Sequence, residues 1–213
     1  MLNKSAFFIL FLISVILAGC AGVTIRDDLT LPPGKIEGNQ FAGIRYPFKV
    51  EIPRHWKMAT EFPDFLKELG YDEPGRYDKE ITELYIFNPS TQSNIQIDFT
   101  PASPRAKFSQ ESIEAITTMA TGSLEGELEK DYGKAVKADI GPTAPFSLRG
   151  VQFAAKKYVT YTLKGVKREQ GWIYGFTDHY QMFILYMILE KEGAHDQEDM
   201  KKIFDSFEFF SRE

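Results

Sequence analysis

Met182-Phe183-Ile184-Leu185-Tyr186-Met187-Ile188-Leu189 is an unbroken apolar run, far shorter than the roughly 17 residues a membrane-spanning helix needs. A strand this apolar has no solvent face, so it predicts the centre of a sheet, with protein above and below it. Working outward, Trp172, Tyr174 and Phe176 mark the strand before it, and Val151, Phe153, Val159, Tyr161 and Leu163 the one before that, which makes a meander. Residues 81–87 and 94–99 read as two further strands around Asn88-Pro89-Ser90, with Ile95, Ile97 and Phe99 inward and Asn94, Gln96 and Asp98 outward. Shorter strands are expected over 136–140 and 208–210. Ile44, Tyr46, Phe48, Val50 and Ile52 alternate with polar residues, and Pro47, which donates no ladder hydrogen bond, predicts that this strand is bulged or lies at an edge.

Helices are the material available to cover such a sheet. Ile113, Ile116, Ala120, Leu124 and Leu128 form one stripe and predict a helix over 110–132, capped by Ser109, stapled by Phe108 and ended at Gly133. Met200, Ile203, Phe204 and Phe207 predict a second over 197–205, with Asp196 as its cap and Glu198 and Asp199 in the first turn, where acids suit the helix dipole. A short helix is expected between Pro63 and Gly70. The fold class is therefore α+β, an antiparallel sheet flanked by helices on both faces, an α/β/α sandwich.

The chain has 213 residues, 43% of them hydrophobic and 26% charged, the profile of a single folded domain. Lys+Arg 25 against Asp+Glu 30 leaves a net charge of -5, which would repel a phosphate backbone, so nucleic acid is not an expected partner. The one cysteine, Cys20, excludes an intrachain disulfide.

That cysteine closes a distinctive N-terminus. Lys4 and the terminal amine precede the apolar run from Ala6 to Leu17, which reads as a secretory signal. Leu17-Ala18-Gly19-Cys20 resembles the lipobox of bacterial lipoproteins. The resemblance implies cleavage between Gly19 and Cys20, diacylglycerol on the Cys20 thiol and a further acyl chain, a palmitate-type modification, on the new amino group. Small side chains at Ala18 and Gly19 admit a peptidase, and a thiolate is the natural nucleophile for alkylation. Two or more acyl chains anchor stably where one does not. Ala21, in place of an aspartate that commonly retains such proteins in the inner membrane, implies the periplasmic leaflet of the outer membrane if the cell is Gram-negative. The expected organisation is a signal peptide over 1–19, a lipidated flexible tether over 20–40 containing Leu31-Pro32-Pro33-Gly34, and one globular domain over 41–213.

Tyr46-Pro47-Phe48-Lys49-Val50-Glu51-Ile52-Pro53-Arg54-His55-Trp56, a strand entering a Pro-x-x-Trp corner, and the closing Phe204-Asp205-Ser206-Phe207-Glu208-Phe209 resemble the signatures of PsbP-like proteins. That group includes an extrinsic photosystem II subunit and many bacterial lipoproteins. The resemblance implies the same sandwich, used for binding or assembly without catalysis.

Sequence spacing supplies little chemistry. His55, His179 and His195 are isolated, with no second histidine at i+3 or i+4, so neither a metal site nor a cofactor is expected. His55 is expected to pack beside Trp56. Gly122-Ser123-Leu124-Glu125-Gly126 has the wrong glycine spacing for a nucleophile elbow, and no phosphate-binding glycine loop is present. Tyr71, Arg76 and Tyr77, in a turn-rich loop, have the composition of a binding surface. The leading expectation is a lipid-anchored, non-catalytic binding module in the bacterial cell envelope, with an envelope protein as partner. The alternatives are a periplasmic hydrolase using Asp178 and His179, or a small-molecule carrier whose pocket is lined by Trp172, Tyr174 and Phe176.

Overall fold

The computed structural model describes residues 31–68, 81–103, 105–119, 137–177, 179–191 and 193–210. Two antiparallel sheets organise them. The larger has the order β4 (Lys57–Ala59), β5 (Thr82–Phe87), β6 (Asn94–Pro101), β11 (Tyr180–Glu190), β10 (Val166–Phe176), β9 (Phe153–Leu163) and β7 (Ala138–Ile140), with the two-residue β8 (Ala144–Pro145) also pairing β9. The smaller has the order β1 (Gly34–Glu37), β2 (Gln40–Gly43), β3 (Phe48–Glu51) and β12 (Glu208–Phe209).

The apolar run 182–189 lies in β11, the middle strand of the larger sheet, as its two-sided hydrophobicity requires. Met182, Ile184, Tyr186 and Ile188 face one side and are almost wholly buried. They join Leu84, Ile86, Ile95, Ile97 and Phe99 in the main core. The layer over this face differs from the expected helical cover. It is the smaller sheet, through Phe41, Phe48 and Val50, together with α3 (Asp196–Ser206), through Met200, Ile203 and Phe204. On the opposite face Phe183 and Leu185 are half-buried, while α2 (Gln110–Met119) packs Ile113 against Ala155 and Phe176. The described chain is thus mostly antiparallel sheet with few helices, and a second sheet supplies much of one covering layer.

Several local expectations hold for identifiable reasons. Ser112 N donates to Ser109 Oγ at 3.2 Å and Ser109 N to Ser112 Oγ at 2.8 Å, a reciprocal cap at the start of α2. Phe108 packs at 4.2 Å on Phe176 in the cluster that holds Ile113. The end predicted at Gly133 lies outside the described residues. Between Pro63 and Glu68 a single short helix, α1 (Asp64–Glu68), seats Phe65 on Phe87 at 4.6 Å.

Other expectations are corrected. The last part of the stretch expected as a flexible tether over 20–40 is ordered, because Gly34–Glu37 pairs with Gln40–Gly43 across a two-residue turn whose Gly38 has φ 64°. Phe41 drives this pairing, since its ring is fully buried and lies 5.0 Å from Phe48. Residues 44–47 do not extend β3, which begins at Phe48 and is internal, flanked by β2 and β12. Pro47 therefore ends an irregular corner, in which Phe48 N bonds Tyr46 O, and does not bulge a strand. Asp196 is the first residue of α3 and not its cap; His195 holds the cap position and makes no side-chain capping bond.

Candidate functional site

Pro53-Arg54-His55-Trp56 makes a tight turn, with Trp56 N bonding Pro53 O at 2.9 Å. The turn brings both side chains to the start of α3. Trp56 enters the core at 3% exposure, while the His55 side chain stays 59% exposed and faces the start of α3. His55 Nε2 lies 2.8 Å from Asp199 Oδ2, and Trp56 Nε1 donates to the same oxygen at 3.3 Å.

On α3, Asp196 and Asp199 are three residues apart and share one side of the first turn. Both are buried, at 3% and 4% exposure. Lys202, one turn further on, donates to Asp199 Oδ1 at 3.0 Å. Burial alone would raise the Asp199 pKa, but hydrogen bonds from Lys202 and Trp56 and the charges of Lys202 and His55 outweigh it and hold the carboxyl below its ordinary range. Asp196 is reached from a third direction. The turn between β5 and β6 is closed by Asn88 N to Ser93 O and by Ser90 N to Asn88 Oδ1, which leaves the Asn88 amide to donate to Asp196 Oδ1 at 2.9 Å.

These three connections enclose an open cleft of about 550 Å³ whose lining includes His55, Asn88, His195, Asp196, Asp199 and Lys202. Among the described residues, His55, Asp196 and Asp199 are the group of titratable side chains whose ligand atoms converge, all within 4.8 Å of one another. The arrangement suits a cation or a hydrogen-bond donor. Sequence spacing missed it because Trp56 and Asp199 are 143 positions apart. Its local traces were a histidine beside the tryptophan corner and acids opening a helix.

Of the three histidines read from sequence, His55 and His195 line this cleft. Gly19, Cys20, Tyr71, Arg76, Tyr77 and Asp178 all lie outside the described residues. His179 is exposed in a turn closed by Thr177 N to Tyr180 O at 2.9 Å, with its ring edge-on to Tyr180 at 6.3 Å. It precedes β11, whereas the cleft lies beyond the other end of that strand. At about 3.3 Å per residue the two are on the order of 30 Å apart. Trp172, Tyr174 and Phe176 are not among the residues that line the α3 cleft. Phe176 packs on Phe108 and Tyr174 on Phe183 at 4.7 Å, so the stripe is core.

No family model matches the chain, and no curated protein matches it. Solved structures similar to it include a chain from Bacteroides thetaiotaomicron VPI-5482, at 12% identity and TM-score 0.46, covering 83% of this chain and 50% of that one. Cyanobacterial PsbP (CyanoP) from Synechocystis sp. PCC 6803 matches at 10% identity and TM-score 0.46, covering 90% and 97%. LpqN of Mycobacterium tuberculosis, described as involved in cell envelope biogenesis, matches at 12% identity and TM-score 0.48, covering 84% and 86%. The chain thus spans half the length of the Bacteroides chain.

Proposed function

We propose that this chain is a membrane-anchored bacterial lipoprotein, held by acyl chains on Cys20, whose layered PsbP-like domain is a non-catalytic binding or assembly module for an envelope protein. The domain faces the periplasm or the cell exterior, and in a Gram-negative cell it sits on the periplasmic leaflet of the outer membrane. The observation that carries the reading is Leu17-Ala18-Gly19-Cys20 at the end of an apolar signal-like run, with the chain's only cysteine at the acceptor position. Its consequence is physical. Each buried methylene of an acyl chain contributes about 0.8 kcal/mol, so two or three chains hold an acidic domain at a bilayer that its net charge would not attract. Among the described residues no helix is long and apolar enough to cross a membrane.

Intact mass of the membrane-extracted protein tests the anchor. The expected species begins at Cys20 and carries the added mass of a diacylglyceryl group and further acylation. Cys20→Ser is expected to block that maturation and to move the domain out of the acylated membrane pool. Unaltered processing and sedimentation in Cys20→Ser would overturn the proposal. The binding role is tested by capture from solubilised membranes with wild type and Tyr77→Ala as bait, where a partner recovered by the first and reduced with the second is the expected result.

A further inference from the structure

The carboxylates of the α3 cleft are unequally satisfied. Asp199 accepts from His55, Trp56 and Lys202, which accounts for both of its oxygens. Asp196 Oδ1 accepts from Asn88, but Asp196 Oδ2 has no hydrogen-bond partner among the described residues, although Asp196 is only 3% exposed. A buried carboxylate oxygen without a donor is costly and calls for a proton, a water or a cation. Favourable placement of acids at a helix N-terminus explains why carboxylates are there. It does not supply the missing partner, since Asp196 Oδ2 accepts no hydrogen bond from the helix N–H groups.

We propose that His55, Asp196 and Asp199 bind one divalent cation of the zinc class. The donor set argues for the class. An imidazole nitrogen with two carboxylates suits zinc, cobalt or manganese, whereas calcium and magnesium prefer shells made of oxygen. Metal–ligand bonds of about 2.0–2.2 Å place tetrahedral ligands roughly 3.4 Å apart. The ligand atoms here span up to 4.8 Å, so the site must contract by as much as about 1.4 Å. His55 Nε2 and Asp199 Oδ2, now at 2.8 Å, must instead part slightly to admit the ion. The exposed His55 ring can make both movements, while the two carboxylates are already oriented. Asn88 holds Asp196 and Trp56 and Lys202 hold Asp199 from outside the ligand set, the arrangement of outer partners that usually tunes a metal site.

On binding, the ion sits between imidazole and carboxylate, with His55 ligating through Nε2 as a neutral imidazole that carries its proton on Nδ1. The ion also supplies the partner that Asp196 Oδ2 lacks. It cross-links the 53–56 turn to the start of α3, and through Asn88 it reaches the β5–β6 turn. The fourth ligand position faces the cleft and takes a water.

The test uses the full chain, extracted in detergent, freed of metal with a chelator and dialysed. Titration with zinc, and separately with cobalt(II), is expected to saturate at one ion per chain. It should change the fluorescence of Trp56, whose indole bonds a ligand carboxylate, and cobalt(II) should give visible absorption of a low-coordinate site. Magnesium and calcium are expected to bind at least a hundredfold more weakly. His55→Ala removes an exposed side chain, so its fold is retained, and it is expected to lose at least tenfold in zinc affinity; Asp196→Asn is expected to do the same. His195→Ala and His179→Ala are expected to bind as wild type does. The proposal is overturned if wild type shows no saturable zinc binding, if His55→Ala binds like wild type, if His195→Ala abolishes binding, or if calcium or magnesium binds as well as zinc.

Discussion

Gly171 shows how much a single missing side chain decides. A Cβ built there would lie 2.1 Å from Tyr186 Cζ, because the tyrosine on β11 crosses over the glycine directly opposite it on β10. The Tyr186 ring is fully buried and its hydroxyl donates to Glu169 Oε1 at 2.7 Å. Lys156 caps the arrangement, with Nζ 4.8 Å above the same ring and 3.6 Å from Glu169. Burial pushes the Tyr186 phenol well above its usual range, reinforced by the Glu169 charge, so it stays a donor. Burial likewise lowers the Lys156 pKa, with Glu169 pulling the other way. Gly171→Ala must push a locked ring aside, and urea unfolding is expected to show a loss of about 1–3 kcal/mol. Tyr186→Phe, which leaves the ring and removes the hydroxyl, is expected to cost about 1.5–3 kcal/mol, since the partner is a carboxylate. The double mutant should lose less than the sum, because a displaced ring has already surrendered the hydroxyl's bond. Full additivity would show that ring position and hydrogen bond are independent.

The closing strand β12 is only two residues long, and its pairing with β3 is reinforced from the other side by Arg149. Phe209 N bonds Arg149 O at 2.8 Å, while Lys49 and Arg149 converge on Glu208 at 3.0 and 3.2 Å. Gly150 makes the approach possible. Its φ is 78°, and a Cβ there would lie 1.7 Å from Phe209 O, a backbone atom that cannot swing away. Gly150→Ala is therefore expected to cost more than the roughly 1 kcal/mol of a left-handed alanine alone and to lower the melting temperature by several degrees. Hydrogen bonding from Lys49, opposed by desolvation and assisted by Arg149, holds the Glu208 carboxyl below its ordinary 4.5. A depressed folded pKa means that the stabilisation is present above the unfolded pKa and fades as pH falls through the folded one. The melting-temperature gap between wild type and Glu208→Gln is thus expected to be widest near neutrality, to narrow below about pH 4.5, and to shrink in high salt, because the pair is partly exposed.

At this scale the limits of sequence pattern are also visible. β11 was legible because two-sided apolarity has one common structural solution, and α2 because a cap, a staple and a stripe agree. The β1–β2 hairpin was not, because among its residues Phe41 is the one that is fully buried, and strands this short show no period. Gly38-Asn39 was the available signal, overshadowed by Leu31-Pro32-Pro33-Gly34 just before it. The α3 cleft was illegible for a different reason. Motif spacing reads ligands within a helix or loop, whereas His55 and the two aspartates meet only after β3 and α3 have packed on the same core.

For the molecule as a whole, the proposed anchor raises the question of where the folded domain begins. The first described strand starts at Gly34, and the chain just before it is already engaged. Ile44 N and Arg45 N both bond Pro33 O, and the Arg45 guanidinium donates to Leu31 O while pairing with Glu83 at 3.0 Å. Mechanical independence of anchor and domain then predicts a sharp boundary. Deleting residues 1–30 should abolish membrane sedimentation and leave the melting temperature within about a degree of the full chain, because those contacts are retained. Deleting 1–43 should abolish sedimentation equally, yet it also removes Phe41 from the core and exposes the edge of β3. Loss of a buried phenylalanine costs about 3–5 kcal/mol, and an unpaired edge invites association between copies. The longer deletion should therefore melt far lower and tend to aggregate. If both deletions melt alike, either the hairpin contributes nothing to the fold or the first thirty residues contribute as much as it does, and in each case the division into anchor and domain is misplaced.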